Sequence, residues 1–434
     1  MLLLLTIMTQ RATALEIPHE TYTLDNGLTV ILHEDHSLPQ VVINMWVDVG
    51  SKDEVVGRTG FAHLFEHLMF MGTDRLPGAG FDELMERHGG WNNAWTSEDA
   101  TDYYSVGPNN LAETFLWMEA DRLDGLARAM NQEKLDKQRE VVRNERRQGS
   151  EDTPYGEAWL RLPEVMYPPE HPYGHPVIGS HEDLQAATVQ DVTRFFNTWY
   201  VPENVSLVVA GDFDPETIKP AIRQYFGSLR AVDVADRAAI APLTHPQQKL
   251  LELTDQVQVP MSILSWHAPA TFQPGDATLD LLAAVLGDGR ASRLYDRLIH
   301  REGAALEADV YQISQRLGSL FTVVLKPSPD HSLEDLEAAV YDELAQLAAD
   351  GPTQEELQRV RNQLEVAFIQ GMESLQRRAS RLNHYQTLLG TPDGLQRDLD
   401  RYRGVTAKDI QEMAATLVED RVGIIRVYPE EGEE

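Results

Sequence analysis

The stretch "FAHLFEHLMF", residues 61–70, places two histidines and a glutamate inside an otherwise apolar run. In a helix, His63 and His67 lie one turn apart on the same face, and Glu66 lies about 60° to one side of His63. The apolar residues cover most of the remaining surface, so we expect this helix to be largely buried. Because burying an unpaired carboxylate is costly, the three polar groups need partners in the interior.

A divalent cation would satisfy these groups. Two imidazoles four residues apart suit zinc, and a neighbouring carboxylate can act on a water molecule bound to the metal. The order H-x-x-E-H is the inverted form of the H-E-x-x-H metallopeptidase motif. The spacing alone leaves another interpretation open, in which two core histidines form ordinary hydrogen bonds and Glu66 pairs with an arginine.

Length and composition restrict the class of protein. The chain has 434 residues, 42% of them hydrophobic, which is typical of a soluble globular protein with two or three domains. Since there is no cysteine, zinc would need histidine and carboxylate ligands, and disulfides are excluded. The formal net charge of −32 argues against nucleic acid and anionic lipid as partners.

The N-terminus resembles a secretion signal. Residues 2–8 form a short apolar segment, and an A-x-A site follows at residues 12–14. We therefore expect residues 1–14 to be a signal peptide and the protein to be periplasmic or secreted. No positive residue precedes the leucines, which leaves a start upstream of Met1 open. The alternative to a signal peptide is a frayed apolar terminus. No other run approaches the 18 apolar residues of a membrane span.

The two halves of the sequence look alike. The strand patterns "GLTVILHE" and "VVINMWVDVG" precede the His63 helix, and "KLLELTD" and "MSILSWHA" precede a second apolar helix. We predict an α+β fold of two homologous lobes, residues 15–229 and 247–434, joined by a linker over 230–246. Each lobe is expected to be a mainly antiparallel sheet covered by helices, and the lobes are expected to enclose a cleft. The second lobe has Leu281 and Leu282 where the first has the metal motif.

A second helix, predicted over residues 131–148, offers a third ligand. One stripe of this helix carries Leu135, Gln138, Val142 and Glu145. Glu140 falls on the opposite, charged side. Glu145 is therefore the acid expected to face the core, although an ion pair between Glu145 and a neighbouring arginine stays open.

Several motifs in order resemble the pitrilysin family, which includes insulin-degrading enzyme and mitochondrial processing peptidase. They are "GFAHLFEHLMFMGT", "GGWNNAWTSEDATDYYSV", "EVVRNERR", "HPYGHPVIGS", "WYVPENVSLVVAGDFDP" and "LGDGRASRLYDRL". The resemblance runs from about residue 20 to the C-terminus, and it is far more specific than H-x-x-E-H alone.

The resemblance implies a zinc endopeptidase or oligopeptidase that hydrolyses unfolded peptides. One Zn²⁺ per chain would be ligated by His63, His67 and Glu145, and Glu66 would be the general base that deprotonates the zinc-bound water. An extended peptide would pair with the backbone of one strand by strand addition. The substrate-binding residues of that strand would be Asn93, Ala94, Trp95 and Thr96.

The sequence departs from the family pattern at three positions. Gln138 stands where many relatives have a glutamate. Its amide could still form a hydrogen bond that supports the metal ligands without binding the metal itself. Ile299 and Leu306 stand where relatives commonly have an arginine and a tyrosine that hold the substrate. Unless the alignment has slipped, we expect a hetero-oligomer with a homologous subunit that lacks H-x-x-E-H, or otherwise a homodimer. The competing function is a non-catalytic peptide-binding or scaffold subunit.

Overall fold

The computed structural model describes residues 15–237, 240 and 249–430. The signal peptide predicted for residues 1–14 lies outside these residues, as does part of the linker predicted over 230–246. Across the described ranges, no helix has the length and apolar character needed to cross a membrane.

The first sheet has six strands, and one of its two edge strands lies beside the metal motif. The strands are β1 (Glu20–Thr23), β2 (Thr29–Glu34), β3 (Gln40–Val47), β4 (Trp91–Thr96), β5 (Thr101–Pro108) and β6 (Val205–Gly211). Their spatial order is β1-β2-β6-β3-β5-β4, so β4 is an edge strand. The pair β2–β6 is parallel and the other pairs are antiparallel.

The second sheet repeats this arrangement. Its strands are β7 (Lys249–Asp255), β8 (Met261–Ala268), β9 (Ala305–Ile313), β10 (Ser319–Pro327) and β11 (Gly423–Pro429). They lie in the order β7-β11-β8-β10-β9, with β7–β11 as the parallel pair. This order matches β2-β6-β3-β5-β4 of the first sheet, strand for strand. The predicted α+β class and the two homologous, mainly antiparallel lobes are confirmed.

Helices cover both sheets. In the first half they are α1 (Phe61–Leu68), α2 (Gly80–Arg87), α3 (Ala112–Ala129), α4 (Gln132–Arg146), α5 (Gly156–Met166), α6 (His181–Ala186), α7 (Val189–Trp199) and α8 (Pro215–Phe226). In the second half they are α9 (Asp276–Gly287), α10 (Leu333–Asp350), α11 (Gln354–Gly371), α12 (Leu375–Leu389), α13 (Leu395–Gly404) and α14 (Ala407–Ala414).

Both faces of the first sheet are apolar, as strand β6 illustrates. All seven residues of β6 are buried. Because side chains alternate along a strand, Leu207 and Val209 face the core formed with α1, α3, α7 and α8, whereas Val208 and Ala210 face a different apolar cluster. A sheet of this kind needs a cover on each side.

The second cover comes from the other half of the chain. On the first sheet, Leu382 and Tyr385 of α12 join Val208 in one cluster. On the second sheet, Leu162 and Val165 of α5 pack in the same way against its apolar face. Each half therefore supplies one helix to the sheet of the other, and the two lobes stabilise each other.

A chain of buried hydrogen bonds fixes α12 on the first sheet. Asn383 Nδ2 donates to Asn44 Oδ1 at 2.6 Å and to the Asn44 carbonyl at 3.0 Å, and Ser206 Oγ donates to Asn383 Oδ1 at 2.6 Å. Asn44 Nδ2 in turn donates to Asp102 Oδ1 at 2.6 Å. Burial raises the pKa of Asp102 to about 7. Since unpaired buried polar groups are costly, this chain of bonds specifies one register of α12 on the sheet.

Candidate metal centre

A buried carboxylate holds the N-terminus of α1. The helix begins after Gly60, which has a positive φ of 83° and offers no capping side chain. Glu54 supplies the missing acceptor: its Oε2 accepts from the Gly60 N–H at 2.8 Å and its Oε1 accepts from the Ala62 N–H at 2.7 Å. Burial raises the pKa of Glu54 well above its usual value. A Cβ on Gly60 would lie 2.6 Å from the Ile178 carbonyl, so the close approach requires glycine.

The two histidines and Glu145 converge at one point. The Nε2 atoms of His63 and His67 are 3.4 Å apart, and Glu145 Oε2 lies 3.1 Å from His67 Nε2 and 3.8 Å from His63 Nε2. The packing of α4 against α1 brings Glu145 to the histidines. Glu140, on the other side of α4, is paired with Arg143 at 2.8 Å.

These distances fit a single zinc ion. Three ligand atoms about 2.0–2.1 Å from a tetrahedral zinc are about 3.3 Å from one another. The donor set is two imidazoles and one carboxylate, which is a known catalytic zinc combination. Burial lowers the pKa of His63 to about 4, and it also lowers the pKa of His67, against the opposing effect of Glu145. Both rings are therefore neutral near pH 7, as metal binding requires.

Glu66 lies between the histidines and the edge strand. Its Oε2 accepts a hydrogen bond of 2.5 Å from Thr96 Oγ1 on β4. Burial raises the pKa of Glu66 to about 7, the hydrogen bond from Thr96 opposes this shift, and the Glu145 charge adds to it. Within the described part of the chain, neither Glu66 nor Glu145 forms an ion pair with an arginine.

The predicted substrate strand is β4, which ends at Thr96 and pairs on one side with β5. Asn93, Ala94 and Trp95 lie along it. The Trp95 ring packs edge-on against Trp46, with ring centroids 5.0 Å apart, and this contact fixes the strand on its inner side. Unpaired backbone groups along a free edge can accept another extended chain.

A pocket of about 420 Å³ opens beside Glu66 and His67. The sequence assigned Asn92, Asn93 and Gln138 to the site but gave no signal for several other residues that line this pocket: Phe70, Asp82, Met85, Glu86 and Trp91. Most of them lie on α2 or at the start of β4. The apolar spacing of α2 indicates a surface helix, but no motif in it indicates a site.

Among the described residues, Gln138 forms no hydrogen bond with His63, His67 or Glu145. Its Nε2 atom lies 2.7 Å from Met71 Sδ, although the side chain also lines the pocket beside His67. The Nδ1 atom of His63 is buried and has no hydrogen-bond partner among the described residues. The orientation of the His63 ring therefore depends on packing within α1 and on the groups at Nε2. A supporting role for Gln138 stays a prediction.

The second lobe places apolar side chains at the two departures from the family pattern. Ile299 packs against the second core, and Leu306 on β9 is 57% exposed. Arg297 pairs with Glu302 and with two acids of α10, and Arg301 pairs with Asp296. Both arginines are thus engaged with carboxylates of their own lobe.

Comparison with known proteins gives matches along most of the chain. Residues 29–158 match the family model "Insulinase (Peptidase family M16)", and residues 186–364 match "Peptidase M16 inactive domain". The zinc protease PqqE of Helicobacter pylori is 28% identical over 362 residues, which are 82% of this chain and 80% of that protein. The uncharacterized zinc protease YmxG of Bacillus subtilis is 25% identical over 410 residues, which are 94% of this chain and 98% of that protein.

Two solved structures share the fold. A protease from Helicobacter pylori superposes with a TM-score of 0.87 at 25% identity, over 95% of this chain and all of that one. The periplasmic protease PqqL from Escherichia coli superposes with a TM-score of 0.78 at 20% identity, over 96% of this chain but 48% of that one.

The geometry predicts that Glu145, and not Glu140, is needed for metal binding. Glu145→Ala removes one of three converging ligand atoms, so zinc should be lost on dialysis against a metal-free buffer. Glu140→Ala removes an exposed ion pair and should keep wild-type zinc content. Metal analysis of both variants after dialysis measures this difference. Equal retention of zinc by the two variants would rule out Glu145 as the third ligand.

Proposed function

The chain belongs to the M16 family of zinc peptidases, and on that premise we propose that it is a zinc-dependent endopeptidase or oligopeptidase acting on unfolded peptides. One observation carries the proposal: three potential ligand atoms converge within 4.8 Å of one another, with Glu66 and a free strand edge beside them. A purely structural cluster would not need a carboxylate of raised pKa next to an open pocket.

His63, His67 and Glu145 would hold one zinc ion per chain. When bound, zinc supplies a Lewis acid that polarises a carbonyl and lowers the pKa of a water molecule toward neutrality. Glu66 would take a proton from the attacking water and pass it to the leaving amine, because it lies beside the ligands in a site that keeps its pKa near 7. Thr96 Oγ1, which donates to Glu66, would orient the carboxylate.

Strand β4 would hold the substrate. A peptide paired with the backbone of Asn93, Ala94, Trp95 and Thr96 is bound mainly through main-chain hydrogen bonds, which carry little sequence preference. Only an extended chain can pair in this way, so the preferred substrates are unfolded peptides. The adjoining pocket of about 420 Å³ would take a side chain next to the cleaved bond.

A second subunit would complete the substrate grip. Ile299 and Leu306 offer no polar groups, and Arg297 and Arg301 are engaged with nearby acids. A homologous partner that lacks H-x-x-E-H would supply the missing arginine and tyrosine; otherwise the chain would form a homodimer. The fold shared with PqqL covers 48% of the PqqL chain, about half of its length. This supports pairing of two units of this size. A permanent interface would bury on the order of 2,000 Å² or more.

One observation favours a second function. The second half matches a family model described as an inactive domain. A non-catalytic peptide-binding or scaffold subunit would be expected to match such a model as well. Zinc content separates the two functions, since a scaffold needs no metal. We also propose that the protein is periplasmic or secreted, on the basis of the apolar segment and A-x-A site within residues 1–14.

The general-base role predicts a separation of metal binding from activity. Glu66→Gln keeps the size of the side chain and all three ligands but removes the proton acceptor. Zinc should stay bound, and hydrolysis of an unstructured peptide should fall by about 10²–10⁴-fold. Glu140→Gln is the matched control and should leave both zinc and hydrolysis unchanged. Near-normal turnover by zinc-loaded Glu66→Gln protein would exclude Glu66 from the mechanism.

The partner role predicts weak activity for the chain alone. The peptide must be held on both sides of the cleaved bond for efficient reaction. This positioning can lower the activation barrier by several kcal/mol. The zinc-loaded chain should therefore hydrolyse an unstructured peptide slowly, and adding the homologous subunit should raise kcat/KM by about tenfold or more. The comparison is made at equal zinc occupancy. Full activity of the isolated chain, unchanged by the partner, would refute the need for a second subunit.

A further inference from the structure

We propose that a second pocket, at the far end of β4, binds an apolar or aromatic side chain of the same peptide, about four or five residues from the cleaved bond. The inference rests on the proposed function, because it extends the strand along which the substrate would lie. It adds a second side-chain contact, far from the cleaved bond, to binding that is carried mainly by the backbone.

The second pocket has a volume of about 270 Å³, and its lining combines apolar side chains with polar ones around Asp35 and Arg378. Leu38, Trp91, Val106 and Leu375 contribute the apolar surface. Leu38 is 64% exposed and Trp91 is 48% exposed. Two large apolar side chains left open to water in one concave site are typical of a binding surface.

Trp91 joins the second pocket to the catalytic one. It is the first residue of β4, and it lines both the pocket beside Glu66 and the pocket at Leu38. Its ring packs edge-on against Tyr104 on the neighbouring strand, with centroids 5.6 Å apart. Trp91 is therefore shared by a pocket on the α1 side of the sheet and a pocket on its α12 side, and the alternating side chains of a peptide paired with β4 would face both sides.

The spacing along β4 sets the position of the bound side chain. Thr96 contacts Glu66, and Trp91 precedes Thr96 by five residues. At a strand rise of 3.3–3.4 Å per residue, this is about 17 Å. A peptide paired with β4, with its cleaved bond near Glu66, therefore reaches the second pocket about four or five residues away.

Both lobes build the second pocket. Leu38 lies in the β2–β3 loop of the first lobe, whereas Leu375 begins α12 of the second. Arg378 of α12 closes the rim through an ion pair of 2.6 Å with Asp35, in which both side chains are mostly buried. The pocket thus exists because α12 packs on the first sheet, and its shape is set by the contact between lobes.

The test uses unstructured serine peptides in which a single phenylalanine is placed two to seven residues, on either side, from one defined bond, and mass spectrometry counts only the cleavage at that bond. The zinc-loaded protein, with its partner subunit where hydrolysis requires it, should cleave one peptide better than the rest. We expect kcat/KM to rise about tenfold when phenylalanine stands four or five residues away on one side.

Leu38→Ser should reduce this preference to about twofold or less, as a ratio of kcat/KM between the phenylalanine and all-serine peptides. The matched control is Leu250→Ser, since Leu250 is 53% exposed on β7 of the second sheet, and it should keep the full ratio. The same peptides, labelled and bound to Glu66→Gln protein, should show the same preference in fluorescence anisotropy.

The second pocket would be overturned if kcat/KM and anisotropy were the same for every position of the phenylalanine. It would also be overturned if Leu38→Ser lowered kcat/KM equally for every peptide. A changed oligomeric state of Leu38→Ser with an unchanged preference would mean that this surface is a subunit interface, and would also overturn it. Failure of the proposed function looks different: no peptide would be cleaved, and zinc would make no difference, whatever the anisotropy profile shows.

Discussion

Partial burial of three ionisable groups on α1 dictates how the surrounding helices and strands are arranged. His63, Glu66 and His67 are held in an apolar helix, which lowers the pKa of the histidines and raises that of the carboxylate. Such burial is costly unless the groups have partners. Glu145 from α4 and a bound cation would provide them, and Glu54 holds the helix in place from its N-terminus. The packing that brings α4 to α1 therefore also sets the geometry of the metal ligands.

The exchange of helices between the lobes explains how the substrate strand is supported. Because α12 covers the first sheet and α5 covers the second, neither sheet has a complete core without the other half of the chain. The buried bonds from Asn383 through Asn44 to Asp102 tie α12 to β3 and β5, next to the edge strand β4. The strand proposed to bind peptides therefore lies next to strands that contacts from both lobes hold in place. The same contact forms the second pocket.

Much of this architecture could be predicted from the sequence. Paired strand patterns predicted two homologous lobes, and the stripe on α4 that carries Glu145 points toward His67 in the structure. The exchange of α5 and α12 could not be predicted, because an apolar helix face shows that a partner exists but not which sheet it is. The pocket residues on α2 were missed for a similar reason: Asp82 and Glu86 have no motif, and only the fold brings them to His67. The contact of Gln138 with Met71 was equally invisible.

The proposed site holds one zinc ion between His63, His67 and Glu145. The X-ray absorption spectrum of the zinc-loaded full chain reports the atoms around the metal without requiring activity. We predict one zinc per chain, with nitrogen and oxygen neighbours at about 2.0–2.1 Å and the signature of two imidazoles. His63→Ala, which also removes one of the three ligand atoms, should lose the zinc on dialysis and with it the imidazole signature. A metal surrounded by oxygen atoms alone, or a spectrum unchanged in His63→Ala, would show that these residues do not bind the zinc.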